Sequence, residues 1–210
     1  MPALRVDLVR KAFGGREVLA EIGFEIAPGE IVALAGHSGC GKSTLLRLIA
    51  GLDHDYTGRV TAPARIAMAF QEPRLLPWRS ARDNLRLAGA DAGMAAMLLD
   101  DLGLSDAAGQ PADRLSVGMA RRVALARALA VPADLLLLDE PFVSLDEAAV
   151  GRARALLLRA WRARPCAVLL VTHDAAEAAA LADRILVLAG SPARVAREVV
   201  VPPESRRPAA

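Results

Sequence analysis

An apolar run, Ile31-Val32-Ala33-Leu34-Ala35, leads into Gly36-His37-Ser38-Gly39-Cys40-Gly41-Lys42-Ser43-Thr44, and a second apolar run over residues 45–50 follows. A buried strand, a glycine-rich turn and a helix start, in that order, form the setting in which a backbone wraps a phosphate. Glycines let successive N–H groups turn inward with no Cβ in the way. Lys42 supplies a point charge for β- and γ-phosphates, and Ser43 offers a hydroxyl to Mg²⁺. A helix starting near Lys42 adds the positive end of its dipole. The stretch predicts a nucleoside triphosphate site.

The remaining pattern predicts what surrounds that loop. Residues 4–27 read as short strands with a turn at Gly14-Gly15, and Leu4, Val6 and Leu8 alternate with Arg5 and Asp7. Residues 51–61 read as polar and turn-rich. The run 66–70 reads as a strand ending at Gln71, after which Pro73, Pro77 and Trp78 break regular structure. Ser80 or Asp83 can cap a helix carrying Leu85 and Leu87, a second helix covers 94–102, and Ser116 can cap a third that ends at Ala130. Four consecutive leucines, 135–138, followed by Asp139-Glu140, suit a central strand buried on both faces. A helix over 148–164, a strand over 167–171, a helix over 175–182 and a strand over 185–189 complete the series, and 199–210 can begin as an edge strand, though its prolines and charges read as a frayed tail. Strands alternating with helices give an α/β fold with a mostly parallel sheet covered on both faces. The expected organisation is one domain, with a core of about 1–78 and 131–198, a helical insertion over about 79–130 and a tail at 199–210.

Charge excludes little. With 26 Lys+Arg against 24 Asp+Glu, no nucleic-acid partner is expected. The apolar stretch 123–138 is broken by Arg127, Pro132 and Asp134, so no run reaches the ~18 residues of a spanning helix. The N-terminus carries no signal-peptide pattern. Cys40 and Cys166 have no metal-ligand spacing and read as small reduced residues.

Hydrolysis of a phosphoanhydride needs a metal ligand, a group that orients water and positive charge at the γ-phosphate. Asp139, at the carboxyl end of the leucine strand, can hold Mg²⁺, and Glu140 beside it can polarise an attacking water. His173 ends the next strand-like run, where it serves equally as a structural residue or as a γ-phosphate contact. Gln71 can join the Mg²⁺ shell. Phe13 fits either a core aromatic or a ring stacked on a base.

Together, GHSGCGKST, the glutamine after IAMAF, LSVGMARR, LLLLDE, SLD and VTHD resemble, in type and order, the motifs of ATP-binding cassette (ABC) ATPases, over about 13–189. The resemblance implies a P-loop core with an N-terminal antiparallel β region and a small helical signature subdomain. It assigns ATP binding to Phe13, Gly36, Ser38, Gly39, Cys40, Gly41, Lys42, Ser43 and Thr44, Mg²⁺ to Ser43, Gln71 and Asp139, and catalysis to Glu140 and His173. It places Ser116 and Gly118 against the ATP of a second subunit and makes Asp146, in Ser144-Leu145-Asp146, a contact in a homodimer or heterodimer. The usual signature is LSGGQ; here Val117 and Met119 replace the first glycine and the glutamine.

What the family implies further is an ATPase peripheral on the inner face of the cell membrane, coupled to integral permease subunits and a solute-binding protein. Residues 71–79, QEPRLLPWR, look like the form in importers of nitrate, sulfonates or taurine. Kinases and GTPases with a phosphate loop leave LSVGMARR and VTHD unexplained. A nucleotide-gated scaffold with weak hydrolysis is the alternative, favoured by Val117 and opposed by Glu140.

Overall fold

The computed structural model describes residues 1–202. The strands are β1 (Leu4–Phe13), β2 (Arg16–Ile26), β3 (Ile31–Ala35), β4 (Thr57–Thr61), β5 (Ile66–Ala69), β6 (Leu135–Asp139), β7 (Ala167–Val171), β8 (Arg184–Gly190) and β9 (Ala193–Val200). The helices are α1 (Lys42–Ile49), α2 (Ala81–Leu87), α3 (Ala92–Asp101), α4 (Val117–Ala130), α5 (Glu147–Ala163) and α6 (Ala175–Leu181), with 3₁₀ turns at Ser105–Ala107 and Ala112–Arg114. The chain divides into two compact units: Met1–Ile66 with Asp134–Asp139 and the chain from Cys166 onward, and Ala67–Ala133 with Glu140–Pro165.

In the first unit the strands run in the order β4-β1-β2-β9-β8-β3-β7-β6. β3 pairs in parallel with both β7 and β8, and β7 with β6. Every residue of β6 and β7 is buried, as the leucine run requires of strands covered on both faces. β1 alternates buried Leu4, Val6 and Leu8 with exposed Arg5 and Asp7, and it pairs antiparallel with β2 and β4. α1 buries Leu45, Leu46, Leu48 and Ile49, each worth about 1.5–3 kcal/mol in area removed from water.

Two expectations need correction here. The turn-rich stretch 51–61 ends in β4, a polar edge strand whose residues stay largely exposed, so no buried face marks it. The stretch from Val199, read as opening in an edge strand, is the end of β9, which starts already at Ala193, pairs antiparallel with β8 through Arg184↔Val200 and lies between β2 and β8 rather than at an edge; residues 203–210 of that tail lie outside the described residues.

The second unit is mainly helical. Ser80 caps α2, its Oγ accepting from the Asp83 N–H at 3.1 Å, and Asp91 caps α3. Asn84, 1% exposed, accepts from Leu76 N at 2.8 Å and donates to Leu76 O and Ser80 O. Arg127 donates to Pro73 O at 2.9 Å and Arg74 O at 2.7 Å. These bonds, with Arg79 N donating to Leu76 O and Asp113 N to Pro77 O, hold the proline-broken segment after Gln71. No helix among the described residues is long and apolar enough to cross a membrane.

Candidate functional site

The register of the first unit lines up its chemistry. Leu34 of β3 stands beside Val171 of β7, and Val171 beside Asp139 of β6. With about 4.8 Å between neighbouring strands, Asp139 lies about 10 Å across the sheet from the strand that enters the loop. The phosphate loop, Asp139 and the Thr172-His173-Asp174 turn therefore leave the sheet at one carboxyl edge, where ligands of open α/β sheets gather.

The loop is closed by its own lysine. Lys42, 6% exposed, donates from Nζ to Gly36 O and His37 O, both at 2.9 Å. The Cys40 N–H donates to His37 O at 3.3 Å, and the buried thiol packs on Gly36, where an added Cβ would lie 2.8 Å from Sγ. Ser38 and Gly39 are exposed at the tip, and Ser43 and Thr44 are half-buried in the first turn of α1. Gly41 takes φ 101° at the head of α1, and a Cβ there would sit 2.6 Å from Leu19 Cδ2 and 3.1 Å from Val18 Cγ1. Gly41→Ala combines that overlap with left-handed strain, a loss of about 2–5 kcal/mol. Thermal unfolding is expected to drop by about 4–20 °C. Gly39→Ala, strained by φ 76° but with nothing within 4 Å, is the matched control and should lose less than half as much.

Asp139 is 4% exposed at the end of β6. Among the described residues no three His, Cys, Asp or Glu side chains cluster as a protein-only metal cage. A hard cation held by one carboxylate, a hydroxyl, phosphate oxygens and water fits this donor set. His173 is exposed. The turn around it is braced by its motif neighbours Thr172 and Asp174 and by Glu177, which the sequence did not single out. Thr172 Oγ accepts from Asp174 N at 3.0 Å and donates to the buried Glu177 carboxylate at 3.1 Å, while Asp174 caps α6. A buried acid inside an alanine-rich helix carries no sequence signal beyond its hydrophobic neighbours.

Phe13 is not a core residue: its ring is 51% exposed at the end of β1. It is tied to the loop through packing, because Lys11 pairs with Leu19 and Leu19 touches Gly41.

In the second unit, Gln71 Nε2 donates to Glu140 Oε2 at 3.3 Å. Glu140 holds φ 50°, a left-handed conformation costing a non-glycine residue about 1–2 kcal/mol; strain of that kind concentrates at functional positions. Ser116 Oγ accepts from Met119 N at 3.2 Å and caps α4. Val117, in the first turn, is 63% exposed. Gly118 faces Leu145, to which an added Cβ would come within 3.4 Å. Asp146 caps α5, accepting from Ala149 N at 2.8 Å. Arg122 donates to Leu102 O at 2.7 Å and Gly118 O at 3.3 Å, and burial pushes its guanidinium pKa down.

The family described as ABC transporter matches residues 19–143. The aliphatic sulfonates import ATP-binding protein SsuB 2 of Burkholderia cenocepacia is 46% identical over 98% of this chain and 82% of its own length. SsuB 3 of Nocardia farcinica is 53% identical over 89% of this chain and 76% of its own. In fold, the chain is similar to the dimeric post-hydrolysis structure of the ATP-binding cassette MJ0796 bound to ADP and Pi, with a TM-score of 0.84 and 28% identity over 95% of this chain and 99% of that one. The motif order, the parallel sheet with its antiparallel N-terminal strands and these likenesses agree: the chain belongs to the ABC transporter family and is one of its ATP-hydrolysing, ATP-binding subunits.

Proposed function

We propose that this chain energises the import of an aliphatic sulfonate or a related small anionic solute. The family resemblance over the whole motif series supports the ATPase, and the names of the 46–53% identical relatives support the solute class. The single observation that carries the chemical reading is the Leu34–Val171–Asp139 row, which brings loop, acid and histidine turn to one sheet edge.

In this reading the N–H groups of Gly36, Ser38, Gly39, Cys40 and Gly41, with Thr44, cradle the phosphates, and Lys42 exchanges its loop carbonyls for phosphate oxygens. Ser43, Gln71 and Asp139 hold Mg²⁺, which when bound neutralises charge on the phosphates. Glu140 accepts a proton from the water whose oxygen attacks the γ-phosphorus as the bond to the ADP oxygen breaks. His173 contacts the γ-phosphate, and Phe13 stacks on the adenine. Ser116 and Gly118 of a second subunit close the site, with Asp146 at the subunit contact. Residues 1–78 and 131–198 act as the core and 79–130 as the inserted signature subdomain.

The permease contact falls on the second unit. A cleft of about 440 Å³ is lined by Arg79, Asp83, Arg86, Leu87 and Asp91, and Trp78 and Leu87 stand 72% and 62% exposed. A cleft lined mainly by charged side chains, with exposed apolar residues in the same helical unit, suits a protein partner. The protein then sits peripherally on the cytoplasmic membrane face, working with permease subunits and a solute-binding protein. Uptake of a labelled alkanesulfonate by cells carrying this chain with its membrane partners tests the solute class. Uptake that persists when Lys42→Ala replaces the parent, or that ignores sulfonates, defeats it.

The second reading, a weakly hydrolysing nucleotide-gated scaffold, draws on Val117, whose exposed side chain replaces the glycine expected where backbone approaches phosphate. Val117→Gly is expected to raise kcat roughly fivefold, an effect of about 1 kcal/mol on the closed state. An unchanged kcat means that the side chain does not oppose closure.

A further inference from the structure

Lys11 is the largest fully buried charged side chain of the first unit, 1% exposed, and the sequence gives no reason to expect it inside. Burying an ammonium is costly unless partners replace its water. Here Nζ donates to Asp53 Oδ1 at 2.9 Å and to Asp55 O at 2.7 Å, with Asp55 Oδ2 at 3.5 Å. The hydrogen bond from Lys11 holds the Asp53 carboxyl below its ordinary pKa. This clamp places Nζ 4.4 Å from the centroid of the Phe13 ring, within cation–π range.

The surrounding backbone is shaped for the same arrangement. β1 and β2 lose register between Lys11 and Ala12: Lys11 pairs with Leu19 but Ala12 with Glu17, leaving Val18 as the extra residue of a bulge. A bulge re-aims the side chains beside it. Val18 and Leu19 are also the residues that meet Gly41 at the head of α1. One irregularity thus sets the ring, the cation beneath it and the phosphate loop in a common frame.

We propose that Lys11 is a specificity-determining residue for the base, acting through Phe13. The proposal rests on the reading that Phe13 stacks on the adenine. The buried cation covers one ring face, so the exposed half of the ring offers the other. A cation on one face draws π density away, and an electron-rich purine stacks better on what remains. The clamp also limits the ring's swing, so less rotamer freedom is lost when the base arrives.

The test compares affinities of the purified full chain for MgATP and for inorganic tripolyphosphate with Mg²⁺, by calorimetry, since only ATP carries a base. In Lys11→Met the affinity for MgATP is expected to fall about three- to tenfold, while tripolyphosphate binds as before. Lys11→Gln, which keeps a donor for the Asp55 carbonyl and removes the charge, serves if the Met variant does not fold and should behave alike. Lys11→Arg, which keeps the cation, is expected to restore at least half of the lost discrimination. In Phe13→Leu the further change Lys11→Gln should cost ATP nothing. Equal loss for both ligands in the neutral variants makes Lys11 structural and overturns the proposal, as does full ATP affinity in them while Phe13→Leu is weakened. If Phe13→Leu itself leaves the ATP-to-tripolyphosphate ratio unchanged, the stacking reading fails first and takes the proposal with it.

Discussion

Glu140→Gln is expected to bind ATP within about twofold of the parent and to lose kcat by a factor on the order of 10²–10⁴, the range of a lost general base. The substitution preserves volume and keeps an oxygen to accept the 3.3 Å bond from Gln71. It leaves the φ 50° backbone as it is, because Gln and Glu share the same steric demands there. What disappears is the carboxylate's basicity. Phosphate release in a single turnover, beside equilibrium binding of labelled ATP, separates the two effects. Parental turnover in the variant would remove Glu140 from the chemistry. The same variant, unable to hydrolyse, gives a background for asking whether activity per chain rises with protein concentration as subunits pair.

Lys42→Ala acts at the other end of the reaction. On the proposed reading two charge-assisted bonds to phosphate, each about 1.5–3 kcal/mol, are lost, a gross fall in ATP affinity on the order of 10²–10⁴-fold. Part of that is returned, because in this structure the ammonium is not idle: it holds Gly36 O and His37 O. The variant should therefore also show a looser loop without ligand, read as faster backbone amide exchange at residues 37–41. Lys42→Arg is expected to fail nearly as badly, since a planar fork does not fit where a compact ammonium reaches two carbonyls. Binding within tenfold of the parent in Lys42→Ala would exclude the lysine from the phosphate site.

Much of this was legible from residue order alone. β6 and β7 declare themselves because strands covered on both faces must be apolar throughout, and Ser80 and Ser116 mark helix starts by the polar atom each offers to orphan N–H groups. β4 and most of β9 were hidden for the opposite reason. They lie beside strands but not inside the core, so their residues carry the polar pattern of loops. In the site, Lys42, Asp139 and Glu140 sit in contiguous motifs, whereas Lys11 is joined to Asp53 and Asp55 only by folding. A lysine in an alternating strand reads as a solvent-facing residue, and nothing local marks a buried partner 42 residues on. Phe13, open to two readings by sequence, loses the core reading to its exposure, and base stacking is left to experiment.

The place of β3 in the sheet has a consequence for motion. It is flanked by parallel partners on both sides, β7 and β8, and four of its five residues are fully buried. Ladders of this kind open last, close to the free energy of global unfolding, while edges such as β4 fray on their own. The glycine-rich loop is thus moored to one of the two most deeply held strands of its unit, with β7 beside it. Local opening of the edge strands therefore leaves the base of that loop in place, and any rearrangement on ligand binding is confined to the loop's own exposed tip at Ser38 and Gly39.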